Sequence, residues 1–194
     1  MLHFVTKLGS LSNSNKPTLF ASYSKRPGKD TQGGTLPGQI FMHWDFDVLE
    51  EQVDNQKFLQ QTLLYFSHEV AHFFQASLSF ANSSEAWIHK DSAELFAMNA
   101  LRELYPSSNA FVDLRQTKAR DQCIEGLTTI SLANASKNGK FSMHYDCGGL
   151  IHQRIEDELS NLEPPQTLSA LWLQYRQRVL SAAGASQATF LEAV

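Results

Sequence analysis

The chain of 194 residues is long enough for one folding unit with a buried core. Its composition, 42% hydrophobic and 19% charged, is that of a globular protein and argues against disorder. A formal net charge of −4 without any lysine- or arginine-rich run excludes an extended phosphate-binding surface, so nucleic acid is not an expected partner. Because neither a signal peptide nor an apolar run of about 18 residues is recognisable, we expect a cytoplasmic protein without a membrane partner.

The two cysteines are Cys123 and Cys147. Two cysteines do not make the framework of a disulfide-rich secreted protein. We therefore expect two buried thiols, with a single bridge between them as the alternative.

The first third of the chain has the pattern of a small β-sheet. Turn-forming residues at 25–30 and 33–38 separate two runs of strand-forming residues, at 18–23 and 39–44. From Asp54 onward the apolar residues recur at three- and four-residue steps, which predicts helices. The helices are expected from Asp54, as N-cap, to Leu78, and then at 83–104, 114–135 and 148–159, from Thr167 onward, and at 187–194.

These patterns predict the fold class. We expect one α+β domain, mostly α, over residues 1–194. Its small sheet, in a β-rich region spanning residues 1–46, packs on a helical region spanning residues 47–194.

The first long helix carries the sequence HEVAH at residues 68–72. The spacing places His68 and His72 on one face of the helix, one turn apart, so that both imidazoles can share a tetrahedral metal ion. Glu69 can reach a water molecule that such an ion activates and can act as the general base. Zinc is the first metal that this pattern indicates. A pair of hydrogen-bonded core histidines without a metal is the alternative.

Residues 60–180 resemble the gluzincin metallopeptidases in the order of three motifs. In that family HExxH is followed by a helix that opens W-x-x-E-G-x-A-E-Y, whose glutamate is the third zinc ligand, and later by Y-x-x-G. Here residues 87–96 read WIHKDSAELF and residues 145–151 read YDCGGLI. The resemblance implies a zincin-like domain with a sheet before the HExxH helix. It also implies a catalytic role for Tyr145, whose hydroxyl group would support the tetrahedral intermediate.

The third metal ligand departs from the family pattern. Lys90 occupies the aligned position of the family's glutamate, and a protonated lysine cannot bind a metal. Asp91, separated from His72 by eighteen residues, is the expected ligand. Glu94, on the same side of the helix, and Glu125, which is followed by glycine as in the family motif, are the alternatives.

Together these motifs predict a zinc-dependent hydrolase of peptide or other amide bonds, with a peptide or protein as its substrate. Two alternatives use the same residues. Two histidines and Asp91 would also suit a non-haem iron(II) oxygenase, with Fe2+ in place of zinc. Lys90 at the ligand position would suit a gluzincin-like binding module that has lost catalysis.

Overall fold

The computed structural model describes residues 1–10, 16–25, 29–46, 49–75 and 85–194. The protein is α+β and mostly helical, so the predicted fold class is confirmed. Within these residues no helix combines the length and the apolar character needed to cross a bilayer. The elements are β1 (Thr18–Ser24), β2 (Lys29–Leu36), β3 (Gln39–Phe46), α1 (Leu2–Leu8), α2 (Gln56–Phe74), α3 (Trp87–Leu104), α4 (Asn109–Leu127), α5 (Ser142–Ser160), α6 (Leu168–Arg178) and α7 (Gln187–Leu191).

The three strands form one sheet in the order β1-β3-β2. The central strand β3 is parallel to β1 and antiparallel to β2. A tight turn joins β2 to β3, and Gly38 supplies its positive φ of 71° after the φ-restricted Pro37. On the inner face of β3, Met42 is buried and Phe46 packs on Phe58 of α2, with ring centroids 5.8 Å apart. The sheet therefore covers one side of α2.

Helix α3 is the centre of the helical region. It packs on α2 along one side and on α5 along another, and most of its residues are buried. Three alanines, Ala93, Ala97 and Ala100, are at most 1% exposed and allow the neighbouring helices to approach closely. Because α3 is buried on nearly every side, any polar side chain on it must find a partner inside the protein.

The helix that carries HEVAH begins one residue later than predicted. The N-cap is Asn55 and not Asp54: its side chain accepts a hydrogen bond from the backbone nitrogen of Phe58 at 3.2 Å. Both residue types are good N-caps, so the sequence could not separate them. The predicted helix end at Leu78 and the predicted restart at residues 83–84 lie outside the described residues.

Two elements were not predicted. Helix α1 precedes the sheet, and its Phe4 and Leu8 are buried in the main core. Strand β2 contains the glycine pair at 33–34, which we interpreted as a turn. A Cβ atom on Gly33 would collide with the hydroxyl group of Tyr65, so a residue without a side chain is needed where this strand meets α2.

Two helices begin several residues earlier than predicted, and α7 ends at Leu191 rather than at residue 194. Helix α4 begins and ends earlier than the predicted 114–135, and short helical turns follow it. Helix α5 begins at Ser142 rather than at Gly148, so Tyr145 lies inside its first turn and not before it. Helix boundaries depend on tertiary packing, which local periodicity does not report.

The two cysteines are joined, so the expectation of two free thiols is wrong. Cys123 of α4 and Cys147 of α5 form a disulfide bond, and both are buried as predicted. The bond lies in a small second core with Met143 and Ala135. It crosslinks two neighbouring helices, and such a bond is more typical of an oxidising compartment than of the cytoplasm that the sequence predicts.

Candidate metal centre

His68 and His72 point towards a common position on one face of α2. Their Nε2 atoms lie 3.0 Å apart, and their rings are nearly perpendicular. His68 is 8% exposed, and His72 is partly buried. The structure therefore brings together the two side chains that the spacing of HEVAH places on one helix face.

The outer nitrogen of each ring faces a hydrogen-bond acceptor. Nδ1 of His68 lies 3.1 Å from Oε2 of Glu94, and Nδ1 of His72 lies 2.7 Å from Oε1 of Gln75. The amide group of Gln75 is oriented by its nitrogen, which donates to a backbone carbonyl group at 2.9 Å and to Oγ of Ser92 at 2.7 Å. The oxygen of Gln75 must then accept from His72. We therefore assign the proton of both neutral rings to Nδ1.

This assignment leaves a lone pair on each Nε2 atom. Two lone pairs that face each other at 3.0 Å repel unless a cation lies between them. His72 does not supply a proton there at neutral pH, because burial and the neighbouring His68 lower its pKa to about 4. A divalent metal is the other cation that imidazole nitrogens bind, and ligating histidines commonly have an acceptor behind the other ring nitrogen. The donor set of His68 and His72 thus fits a metal ion.

Glu69 is positioned by the sheet. Oγ1 of Thr35 lies 2.7 Å from Oε2 of Glu69 and 2.9 Å from its backbone oxygen, so the hydroxyl group can donate to either. Thr35 belongs to β2, an edge strand that runs beside α2. Glu69 is 7% exposed. The strand therefore holds this carboxylate in place beside the histidine pair.

A cleft of about 450 Å³ opens between the sheet and the helices. His68 and Glu69 line it from α2, and Tyr145 lines it from α5. The sheet contributes apolar side chains to the opposite wall, among them Met42 and Trp44. The predicted base and one predicted metal ligand therefore face a space that can admit a small ligand or a segment of a peptide.

Tyr145 lies close to the histidine pair. Its ring centroid is 6.0 Å from that of His68. Burial and three nearby carboxylates, those of Asp91, Glu69 and Glu94, raise the pKa of Tyr145 to about 12. The phenol therefore keeps its proton at neutral pH and can donate a hydrogen bond into the cleft.

Glu94 is the carboxylate on α3 that contacts a histidine. Its Oε2 atom faces His68, and its Oε1 atom accepts a hydrogen bond from Nε of Arg115 at 2.5 Å. Burial alone would raise the pKa of Glu94, but the hydrogen bonds with His68 and Arg115 and the charge of Arg115 hold it below its usual value. Glu94 is therefore a charged side chain in a buried position, 8% exposed.

Asp91, the expected third ligand, is fully buried one helical turn before Glu94. Neither of its carboxylate oxygens has a hydrogen-bond partner among the described residues. It packs on Gly148 of α5, where a Cβ atom would collide with the carboxylate. Burial and the charges of Glu94 and Asp146 raise the pKa of Asp91 well above its usual value. The positive charge of Lys90 acts in the opposite direction but does not offset these effects.

The region of the chain that the structure describes contains no group of three His, Cys, Asp or Glu side chains arranged to hold a metal ion. The structure brings His68 and His72 together and places Glu94 behind His68, but no hydrogen bond joins Asp91 to either histidine. Asp91 as third ligand therefore stays a prediction. Glu125 is exposed on α4 and does not line the cleft.

Lys90 lies beside Tyr145 and lines neither the cleft described above nor its rim. Its Nζ atom is 5.4 Å from the ring centroid of Tyr145, within the range of a cation–π contact. Its positive charge also contributes to the lowered pKa of His72. The lysine at the family's glutamate position therefore adds a cation next to the proposed electrophile.

Three residues of this site were missed from the sequence. Gln75 follows His72 by three positions on the same helix, and that spacing could have indicated the contact. Thr35 and Arg115 come from distant segments, 34 residues before Glu69 and 21 residues after Glu94. No local pattern marks either of them.

Comparisons of the chain with family models, with curated proteins and with solved structures found no match. The gluzincin resemblance therefore remains a prediction that depends on the three motifs within residues 60–180.

Proposed function

We propose that this protein is a zinc-dependent hydrolase of peptide or other amide bonds. The observation that carries the proposal is the pair of Nε2 atoms of His68 and His72, which face each other at 3.0 Å while both Nδ1 atoms have acceptors. The third ligand would come from α3, which offers the neighbouring Glu94 and also Asp91, a carboxylate without a hydrogen-bond partner in the described part of the chain. A zinc ion held there supplies a Lewis acid that polarises a carbonyl group and acidifies a water molecule.

Glu69 takes the proton of the attacking water in this proposal. Its contact with Thr35 at 2.7 Å fixes the carboxylate, and it lines the same cleft as His68. After the attack, the protonated carboxyl group delivers that proton to the nitrogen of the leaving amine. One side chain thus acts first as general base and then as general acid.

Tyr145 stabilises the developing negative charge on the carbonyl oxygen. Its pKa of about 12 keeps the phenol protonated, so it donates a hydrogen bond that becomes stronger as the charge forms. The ammonium group of Lys90, 5.4 Å from the centre of the phenol ring, adds a positive potential near that ring. Both groups favour the transition state over the neutral amide.

The test combines metal analysis with hydrolysis of a quenched fluorescent peptide library. We expect about one zinc ion per chain. Glu69→Gln should keep the zinc and lower turnover by about 10²–10⁴-fold, because it removes the base and leaves the ligands in place. Glu125→Gln, a change of the same kind on the exposed face of α4, should keep both the zinc and the turnover of the unchanged protein. The proposal fails if the protein takes up no zinc at neutral pH, or if Glu69→Gln hydrolyses peptides as well as the unchanged protein.

Analysis of the metal also tests the iron alternative. Iron rather than zinc in protein purified without oxygen would favour the non-haem oxygenase, because its two histidines and one carboxylate suit iron(II).

One observation favours a second candidate, a binding module without catalysis. The charge of Lys90 lies beside Tyr145 and helps to lower the pKa of His72, so it also disfavours a metal cation there. If the protein is a binding module in which the charge of Lys90 keeps the metal out, Lys90→Gln should increase zinc affinity. If Lys90 assists catalysis, the same change should leave zinc affinity nearly constant and lower turnover.

A further inference from the structure

Two cavities meet at the candidate site. One is the cleft of about 450 Å³ between the sheet and the helices, and the other, of about 250 Å³, lies among α3, α4 and α5. Three side chains line both of them: Glu94, Arg115 and Tyr145. An extended ligand that occupies both cavities must therefore pass Tyr145 and Arg115.

The two cavities differ in chemistry. The larger cleft has an aromatic wall made by Trp44, Phe46 and Phe58. The smaller cavity also has apolar side chains, but it lacks such a wall and adds the ammonium group of Lys118. A ligand that fits both cavities can therefore place an aromatic or apolar group on one side of Tyr145 and an anionic group near Lys118 on the other.

Arg115 is the cation at the junction. Its Nε atom donates to Glu94 at 2.5 Å, which is the one hydrogen bond of its guanidinium group among the residues that the structure describes. Four of the five N–H groups of the guanidinium remain available. The side chain is 49% exposed and contributes to both cavities. Its terminal amino groups can therefore receive a planar, two-oxygen acceptor from the ligand.

The surrounding charges favour an anion beyond Arg115. Glu94 is already shared between Arg115 and His68. Lys118 adds a second positive charge to the smaller cavity, which the carboxyl groups of Glu94 and Asp146 also line, and burial raises the pKa of Asp146. A ligand carboxylate would meet two cations there, a Glu94 carboxylate that Arg115 already binds, and an Asp146 carboxyl group with a weakened tendency to ionise.

We infer that the smaller cavity is a subsite for a carboxylate group of the substrate, bound by the terminal amino groups of Arg115 and attracted by Lys118. This inference depends on the proposed function, because it names the substrate class of the same site. The preferred substrate carries a bulky apolar side chain on one side of the scissile amide and a carboxylate on the other. That carboxylate is either a free C-terminus or the side chain of an aspartate or glutamate.

The experiment measures binding rather than turnover. Fluorescence anisotropy compares three labelled peptides, each with one phenylalanine, on zinc-loaded Glu69→Gln protein. The first peptide has a free C-terminal carboxylate and no acidic side chain, the second has a C-terminal amide, and the third has a C-terminal amide and one glutamate. We expect the amidated neutral peptide to bind at least about tenfold more weakly than one or both of the others. Comparison of the two peptides that carry a carboxylate shows whether the subsite binds a free C-terminus or an acidic side chain.

Variants in the Glu69→Gln background locate the subsite. Arg115→Lys keeps the charge but loses the planar fork, and Lys118→Gln leaves the contact with Glu94 intact. Each should reduce the preference for the carboxylate peptide by several-fold, whereas Arg120→Gln, on the exposed face of α4, should not. Equal binding of all three peptides, or an unchanged preference in both subsite variants, overturns the inference. Absence of binding by every peptide also overturns it, and hydrolysis by the unchanged protein then shows whether the proposed function survives.

Discussion

Oε2 of Glu94 lies 3.1 Å from Nδ1 of His68, on the side of the imidazole ring away from the Nε2 atom that faces His72. A carboxylate in this position orients the ring and increases the basicity of its other nitrogen. Arg115 holds the second oxygen of Glu94. A chain of contacts thus runs from α4 through α3 to the histidine pair on α2.

The position of Glu94 behind His68 leads to a prediction about metal affinity. Glu94→Gln should weaken zinc binding by about 10–100-fold without abolishing it, because the ligand remains but loses its orienting partner. Asp91→Asn should abolish tight binding, because it removes the third ligand expected from the sequence. Competition with a chromophoric chelator measures both, with Asp121→Asn on the exposed face of α4 as the control. If Glu94→Gln abolishes tight zinc binding and Asp91→Asn only weakens it, Glu94 is the ligand and the prediction for Asp91 is wrong.

Removal of the Tyr145 hydroxyl group should affect the chemical step. We expect Tyr145→Phe to lower kcat by about 10²-fold and to change KM little, because the lost hydrogen bond acts mainly on the developing oxyanion. Steady-state kinetics on the best peptide from the library measures both parameters. Tyr105→Phe provides the matched control, since Tyr105 is exposed at the end of α3. An unchanged kcat would remove Tyr145 from the proposed mechanism.

The disulfide bond should contribute to stability. It joins Cys123 to Cys147 across a sequence separation of 24 residues. Closing a loop of that size in the unfolded chain corresponds to about 3.5 kcal/mol of unfolding free energy. Urea denaturation with and without a reducing agent should therefore differ by about this amount. A variant with both cysteines changed to serine should be less stable, and its stability should not change when the reducing agent is added. Equal stability of the oxidised and reduced wild type would contradict a stabilising role of the bond.

Acid should lower the unfolding free energy through protonation of His152. This side chain is fully buried among Trp87, Trp172 and Phe190, and burial lowers its pKa to about 4. In the unfolded chain its pKa is about 6.5. Between these values the unfolded state binds a proton that the folded state excludes. The unfolding free energy should therefore fall as pH decreases from about 6.5 to about 4, by up to about 1.4 kcal/mol per pH unit from this group.

A variant separates the contribution of His152 from those of other histidines. His152→Leu should show a shallower decrease in stability between pH 7 and pH 5, measured by urea denaturation at each pH. The decrease should not vanish, because the pKa of His89 is also lowered by burial, to about 2. A His152→Leu slope equal to that of the wild type would contradict the assignment.

The local sequence pattern was sufficient to predict much of the helical region. Apolar periodicity predicts α2, and the four-residue spacing of His68 and His72 places both rings on one face of it, because a helix has 3.6 residues per turn. The same reasoning placed α3, with Asp91 and Glu94 one turn apart. It also placed Thr167 at the start of α6, where its side chain caps the helix. These features depend on residues that are close along the chain.

Tertiary packing determined the contacts between separate elements, which the local sequence pattern could not predict. The contact of Thr35 with Glu69, the contact of Arg115 with Glu94 and the bond between the two cysteines all join separate elements. Strand β2 exists because β3 offers it a hydrogen-bonding edge, and its glycines fit where Tyr65 leaves no room for a side chain. The HEVAH segment thus indicates the histidine pair from sequence alone. The acceptors behind both rings, and so the two facing lone pairs, come from the packing of the pair against α3 and against Gln75, whose amide α3 orients.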